Sequence, residues 1–208
     1  MNEIICADCL DILKSMPDKS VDLVLTDPPY GIANVWHGGS GCGWGRAAEQ
    51  TPERNGWDVA PSQECFDHIL RVGKTVCIWG GNYFQLPVSR GWLVWTKPER
   101  NFTLSEAELA WTSVDTVMRV FDGARSDSDR VHPTQKPLEL MKWCLTKLSH
   151  EGDTVLDPFM GSGTVGIEAV RLHKHYLGCE LNPDYIKMAN RRIQDMIGPL
   201  FVKDELFP

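Results

Sequence analysis

Thr154-Val155-Leu156-Asp157-Pro158-Phe159-Met160-Gly161-Ser162-Gly163-Thr164 is the stretch that decides the fold. Thr154 to Leu156 reads as a strand, and Gly163 to Leu172 as the helix that follows it. A glycine loop between strand and helix is where α/β folds bind nucleotides. Glycine lets the backbone approach a ligand closely, and the helix start offers N–H groups with no partner inside the helix. Gly161, Gly163 and Gly166 fit the G-x-G-x-x-G spacing, and Glu180, ending the next strand, is placed to take both ribose hydroxyls. Two readings stay open on this stretch alone: a nicotinamide or flavin dehydrogenase, or an adenosine-type cofactor with a positive, unphosphorylated tail. Asp157 tilts the balance, because a carboxylate at the strand end repels a pyrophosphate and suits a methionyl ammonium group.

Outward from this loop the chain alternates strands with helices, the pattern of a mainly parallel sheet covered on both faces. Strands are expected at Ile4–Cys6, Val21–Thr26, Thr75–Trp79, Trp92–Thr96, Leu109–Trp111, Val117–Phe121 and Tyr176–Cys179, besides Thr154–Leu156. The three from Trp92 to Phe121 lie so close in sequence that some of them should pair antiparallel. Helices are expected through Leu10, Leu13 and Met16, through Phe66, Ile69 and Leu70, from Pro137 through Leu148, and from Pro183 to Ile197. Residues 31–57 form a long Gly- and Trp-rich loop, a length usually tied to function. Neither an internal repeat nor a low-complexity linker interrupts the chain, so residues 1–208 are expected to form one domain.

Asp27-Pro28-Pro29-Tyr30 ends the second strand, on the same rim of the sheet as the glycine loop. Two prolines cannot continue a ladder, so the backbone turns out here. Such a turn suits one demanding chemistry. The exocyclic amine of a nucleobase is a poor nucleophile because its lone pair is delocalised into the ring. A site that accepts both of its N–H groups lets the nitrogen become pyramidal as a new bond forms. The Asp27 carboxylate can take one N–H and the Pro28 carbonyl the other, with Tyr30 as a flat face for an extruded base. A plain strand-ending turn would have the same sequence. His132-Pro133-Thr134-Gln135-Lys136-Pro137 reads either as a helix-entry loop, with Thr134 near the cap, or as a cofactor wall. In the second case Thr134, Gln135 and Lys136 offer hydroxyl, amide and ammonium donors to a methionyl carboxylate.

The net charge of −7 weighs against a nucleic-acid partner without excluding one, because a small footprint needs only one positive cleft. Arg100, Arg119, Arg125 and Arg130 are the candidates to line it. Seven scattered cysteines, an odd number, fit reduced thiols rather than a disulfide framework. Cys6 and Cys9 form a C-x-x-C with no second pair, so no metal site is expected. No apolar run is long enough to span a bilayer, the N-terminus lacks a leader pattern, and Lys203–Leu206 is followed by Phe207 and Pro208. A cytoplasmic location follows as the expectation.

Asp27–Tyr30, His132–Pro137 and Asp157–Thr164, in that order, resemble the DNA amino-methyltransferases that modify adenine N6 or cytosine N4, in their permuted arrangement with the catalytic motif first. The resemblance implies a doubly wound, mainly parallel seven-stranded sheet with an antiparallel strand pair. It implies S-adenosylmethionine as cofactor and DNA as partner, with restriction-modification as one setting and a homodimer as one allowed assembly. Asp27, Pro28, Pro29 and Tyr30 would form the catalytic loop. Asp8 would meet the cofactor's adenine amine, Glu180 its ribose, and Asp157, Phe159, Gly161, Ser162, Gly163 and Thr164 would line the rest. Residues 97–130 would be a small DNA-reading segment, and residues 31–57 a lid or a second reading loop. Aspartate at the first catalytic position implies adenine N6. Cytosine N4, an RNA base, a protein amide and an inactive DNA-binding relative are the alternatives.

Overall fold

The computed structural model describes residues 2–32, 58–98, 105–124 and 135–197. Eight strands form one sheet in the order β1-β8-β7-β2-β3-β5-β4-β6. They are β1 (Asn2–Cys6), β2 (Val21–Thr26), β3 (Gly73–Trp79), β4 (Trp92–Thr96), β5 (Ala107–Thr112), β6 (Arg119–Asp122), β7 (Thr154–Asp157) and β8 (His175–Glu180). These are the eight strands that the sequence pattern placed, one more than the seven that the resemblance implied. The expected antiparallel pairing is present, with β5 running antiparallel to both β3 and β4, while β6 returns parallel to β4.

The helices are α1 (Cys9–Ser15), α2 (Gln63–Val72), α3 (Leu138–Leu148), α4 (Thr164–Arg171) and α5 (Pro183–Ile197). Side chains alternate across a strand, and β3 shows what this does here. Cys77 and Trp79 join the core beneath α3, α4 and α5, whereas Val76 and Ile78 join the core beneath α1 and α2. Helices therefore cover both faces, as the sequence pattern implied. Among the described residues no helix is long and apolar enough to cross a membrane.

The central neighbours β2 and β7 run parallel, and the chain leaves them in opposite directions. From β7 it passes through α4 to β8 on one side, and from β2 through α2 to β3 on the other. That reversal opens a crevice beyond the carboxyl ends of both strands, the usual ligand position in open α/β sheets. The first strand, β1, pairs with the last, β8, and α5 packs against both. The two ends of the described chain thus meet at one edge of the sheet, which is how a permuted motif order closes on an ordinary layered fold.

Gly166 sits one turn into α4, where an added Cβ would lie 2.6 Å from the ring of the buried Tyr176 on β8. Helix propensity alone favours Gly166→Ala by up to about 1 kcal/mol. Overpacking against a ring in a closed core costs about 1–3 kcal/mol. The packing effect should win, so Gly166→Ala is expected to lower the urea midpoint with an unchanged slope. A raised midpoint would show that Tyr176 has room to move.

Candidate active site

β2 ends at Thr26 because the next residues are Asp27, Pro28 and Pro29, and β7 ends at Asp157 for the same reason of a following proline. The Thr26 hydroxyl donates to Asp157 Oδ1 at 2.8 Å, joining the two strand ends across the crevice. The same oxygen accepts the Phe159 N–H at 3.2 Å. Asp157 is 2% exposed. Burial pushes its carboxyl up to about 7, the hydroxyl and N–H donors oppose this, and the charges of Asp27 and Glu180 add to it.

Beyond Asp157 the loop is shaped for a ligand. Gly161 has a φ of +50°, and a Cβ there would meet nothing within 4 Å. Gly163, with a φ of +78°, is the N-cap of α4 and supplies no side-chain cap for the first N–H groups of the helix. It also lies against α5, where a Cβ would approach Ala189 Cβ to 2.8 Å. Glu180, at the end of β8, folds back over this loop. One oxygen accepts the Gly161 N–H at 3.1 Å and the other the Asn182 N–H at 2.8 Å. Asp8 lies beyond β1 on the same rim, exposed, with Oδ1 accepting the Leu10 N–H at 2.8 Å as the cap of α1. Phe159 is half-buried, Ser162 Oγ reaches Gln135 Oε1 and Thr164 Oγ1 at 3.5 Å, and Arg192 donates to the Ser162 carbonyl at 2.6 Å.

Asp27 faces a different set of groups. Tyr30 donates its hydroxyl to Asp27 Oδ1 at 2.7 Å, and Lys136 Nζ donates to Oδ2 at 2.7 Å. The same ammonium reaches the Tyr30 hydroxyl oxygen and Glu108 Oε2, each at 3.1 Å. The other Glu108 oxygen is paired with Lys97. Burial opposes the charge of Lys136, but Asp27, Tyr30 and Glu108 outweigh it and raise its pKa well above the ordinary lysine value. Burial and the Asp27 charge keep the Tyr30 phenol protonated far beyond its usual range. Glu108 is pushed up by burial and pulled down further by Lys136 and Lys97, to about 2. Pro28 is buried beside this cluster.

The Tyr30 ring is held by its surroundings. It stacks on Tyr83 with centroids 5.0 Å apart and meets Phe84 edge-on at 6.2 Å. Gly80, in the left-handed region with φ +69°, makes the fit, since a Cβ there would lie 2.2 Å from the ring. The ring expected to offer an open face thus already forms the inner half of a tyrosine stack, and Tyr83, 50% exposed, forms the outer half.

The structure brings Asp27, Pro28, Pro29, Tyr30, Asp157 and the glycine loop to one crevice. It puts Lys136 on Asp27, where the sequence reading had it donating to a methionyl carboxylate. Arg119 is exposed at the start of the edge strand β6, away from the rim that carries Asp27. Thr134, Arg100, Arg125, Arg130 and most of the 31–57 loop lie outside the described residues. Cys9 has its thiol 3.8 Å from that of Cys65, so its sulfur neighbour is on α2 and not Cys6. Glu108, Lys97, Tyr83 and Arg192 were missed. A lone charged residue in the largely apolar Ala107–Thr112 strand was the signal for Glu108. Because β5 is reversed, the amino end of that strand reaches the active rim.

Residues 44–191 match the sequence model of the N6/N4 DNA methylases, well over half of the chain. The chain belongs to the N6/N4 DNA methylase family. The matched span takes in Glu108, Lys136 and the glycine loop of the methylase and begins beyond Tyr30. The Type II methyltransferase M2.MboI of Moraxella bovis is 24% identical over an alignment of 240 residues, covering 91% of this methylase and 86% of that protein. The fold of this chain is shared with the M1.HpyAVI–SAM complex, with a TM-score of 0.61 at 22% identity over 92% of this chain and 100% of that one. It is shared equally with the cytosine-N4-specific PvuII DNA methyltransferase, with a TM-score of 0.59 at 17% identity over 94% and 90% of the two chains.

Asp157 makes a prediction about stability. A carboxyl that titrates at about 7 when folded and near 3.8 when unfolded binds more protons in the folded state between those values. Stability should therefore fall as pH rises from about 4 to about 7, with the full penalty present above that window. Asp157→Asn keeps an oxygen for both the Thr26 hydroxyl and the Phe159 N–H. It should stabilise the apo-methylase at pH 8 by about 1 kcal/mol or more, each pKa unit being worth about 1.4 kcal/mol. Equal stability of variant and wild type in urea at pH 8 would show that Asp157 is not held in this way.

Proposed function

We propose that this methylase transfers a methyl group from S-adenosylmethionine to adenine N6 of an extruded DNA base. The observation that carries the reading is the Thr26–Asp157 hydrogen bond, which holds the Asp27 loop and the glycine loop at the mouth of one crevice. The donor set fits the cofactor. Asp157 is a buried carboxylate with no ion pair among the described residues, suited to a positive methionyl tail. Glu180 stands at the end of the strand after the loop, suited to ribose hydroxyls, and Gly161 opens onto free space. Phe159, Ser162, Gly163 and Thr164 complete the wall, with Asp8 on the rim toward an adenine amine. When bound, the cofactor supplies a methyl group made electrophilic by its sulfonium.

Asp27 then accepts one N–H of the target amine and the Pro28 carbonyl accepts the other. This directs the nitrogen lone pair out of the base plane. With the cofactor held by the glycine loop, its methyl carbon would be open to this lone pair, the S–C bonding pair would leave on sulfur, and the product amine would release one proton to water. Asp27 stabilises the positive charge that builds on nitrogen, a preorganised electrostatic contribution. The Tyr30–Tyr83 stack supplies the aromatic platform for the base, with Tyr83 as its outer ring. Aspartate at the first catalytic position supports adenine over cytosine through the resemblance to adenine-modifying members. A partner endonuclease, protection of a mobile element and regulation would all use the same chemistry.

Asp27→Ala should abolish label transfer from methyl-labelled cofactor to unmethylated genomic DNA while cofactor affinity stays within a few-fold. A variant of near wild-type rate would refute the role of Asp27. Tyr30→Phe removes a hydrogen bond to a charged group, worth about 1.5–3 kcal/mol. Its rate should fall about 10- to 100-fold, and Tyr30→Ala, which also removes the stack, should be slower still. Equal rates for the two variants would count against the platform.

A further inference from the structure

An ammonium has three N–H donors, and Lys136 has three acceptors within reach: Asp27 Oδ2, the Tyr30 hydroxyl and Glu108 Oε2. Its position is therefore fully determined, and Glu108 is the only one of the three that pulls it away from the Asp27 loop. Glu108 is itself held on its far side by Lys97, which packs over the Trp95 ring with Nζ 4.6 Å from the centroid. The result is a row of alternating charge, Asp27–Lys136–Glu108–Lys97, in which the Lys136 and Lys97 side chains are buried at 9% and 5% exposed and those of Asp27 and Glu108 are partly exposed at 28% and 24%. From these contacts we infer that Glu108 and Lys97 are positioning residues for methyl transfer, acting through Lys136 to keep Asp27 available as an acceptor. The inference rests on the proposed role of Asp27.

The physical need is specific. A lysine bound to Asp27 alone would sit over both carboxylate oxygens and compete with the incoming amine for their lone pairs. It would also offset the negative field that Asp27 must offer as nitrogen becomes positive. Glu108 takes one donor of Lys136 and cancels part of its charge, so Lys136 orients Asp27 without neutralising it. Lys97 in turn limits how strongly Glu108 draws Lys136 away. Both residues come from the strands flanking the reversal: Glu108 near the start of β5, and Lys97 just past the end of β4. The Trp95–Glu108 pairing brings the two side by side at the active rim. A buried ion pair is a poor way to gain stability compared with apolar packing, which is a reason to look for another use of this one.

The test compares Glu108→Gln, Glu108→Asp and the charge-balanced double variant Lys97→Met/Glu108→Leu with the wild type. Initial rates of label incorporation into unmethylated genomic DNA at saturating cofactor are measured beside cofactor Kd and urea midpoints. Glu108→Gln is expected to lose about 10- to 100-fold in rate with cofactor Kd changed less than about threefold, as for loss of a hydrogen bond to a charged group. Glu108→Asp should recover part of that loss. The double variant, which removes Glu108 and its Lys97 partner together, should regain stability and remain slow. Wild-type rate in Glu108→Gln, or a double variant whose rate returns with its stability, would overturn the inference. Should Glu108→Gln not fold, the double variant decides alone, folded and slow for the inference, folded and fast against it. Asp27→Ala in the same series separates the two ideas: wild-type rate there would remove the Asp27 reading itself.

Discussion

The Thr26 hydroxyl reaches Asp157 at the carboxyl ends of the two central, paired strands, and the geometry of the crevice beyond them hangs on that contact. Parallel strands leave a crevice of this kind only where the chain leaves its neighbours in opposite directions, as it does from β2 and β7. A proline follows each strand end, so neither loop can slide into the ladder, and the hydroxyl fixes one loop relative to the other. The group that accepts it is a carboxyl at 2% exposure, an environment that raises the energy of its ionised form. Such a group weakens the apo-fold above neutral pH. Retaining it is understandable where a positive ligand arrives beside it, a common exchange of stability for function.

The second arrangement, the row from Asp27 to Lys97, has a different character. Each charge in it has an opposite neighbour, and the Lys136 ammonium is satisfied by three acceptors. The row crosses from the loop after β2 to the reversed strand β5, so it binds the proposed catalytic loop to the part of the sheet that departs from simple parallel order. Tyr30 extends the same principle to packing: its hydroxyl lies in the row, and its ring is wedged between Gly80 and Tyr83. A loop of two prolines is stiff already, and these contacts fix where its carboxylate points.

Much of this was legible in the sequence because it depends on local pattern. The strand–glycine–helix transition at Thr154–Arg171, the proline stop after Thr26 and the helix from Leu138 follow from periodicity and turn chemistry. The rim shared by Asp27 and the glycine loop followed from strand direction alone. Glu108 carried only one mark, a glutamate within a largely apolar strand, because its value depends on β5 running backward beside Cys77–Trp79, a long-range pairing that closeness to Trp92–Thr96 does not set. Lys136 was read toward a methionyl carboxylate because it lies in the polar segment just before the Pro137 helix, and in three dimensions its ammonium donates to Asp27 Oδ2. The extra strand β6 is short and exposed, and Val117–Phe121 gave its existence but not its parallel pairing.

The central claim is that the crevice between β2 and β7 presents an exocyclic adenine amine to a methyl donor. It is tested most directly by the chemical identity of the product. The protein is incubated with methyl-labelled S-adenosylmethionine and unmethylated genomic DNA, the DNA is digested to nucleosides, and the labelled nucleoside is identified by mass. Label in N6-methyladenine is the expected result. Label in N4-methylcytosine would contradict the base assignment, and DNA without label would contradict the reaction.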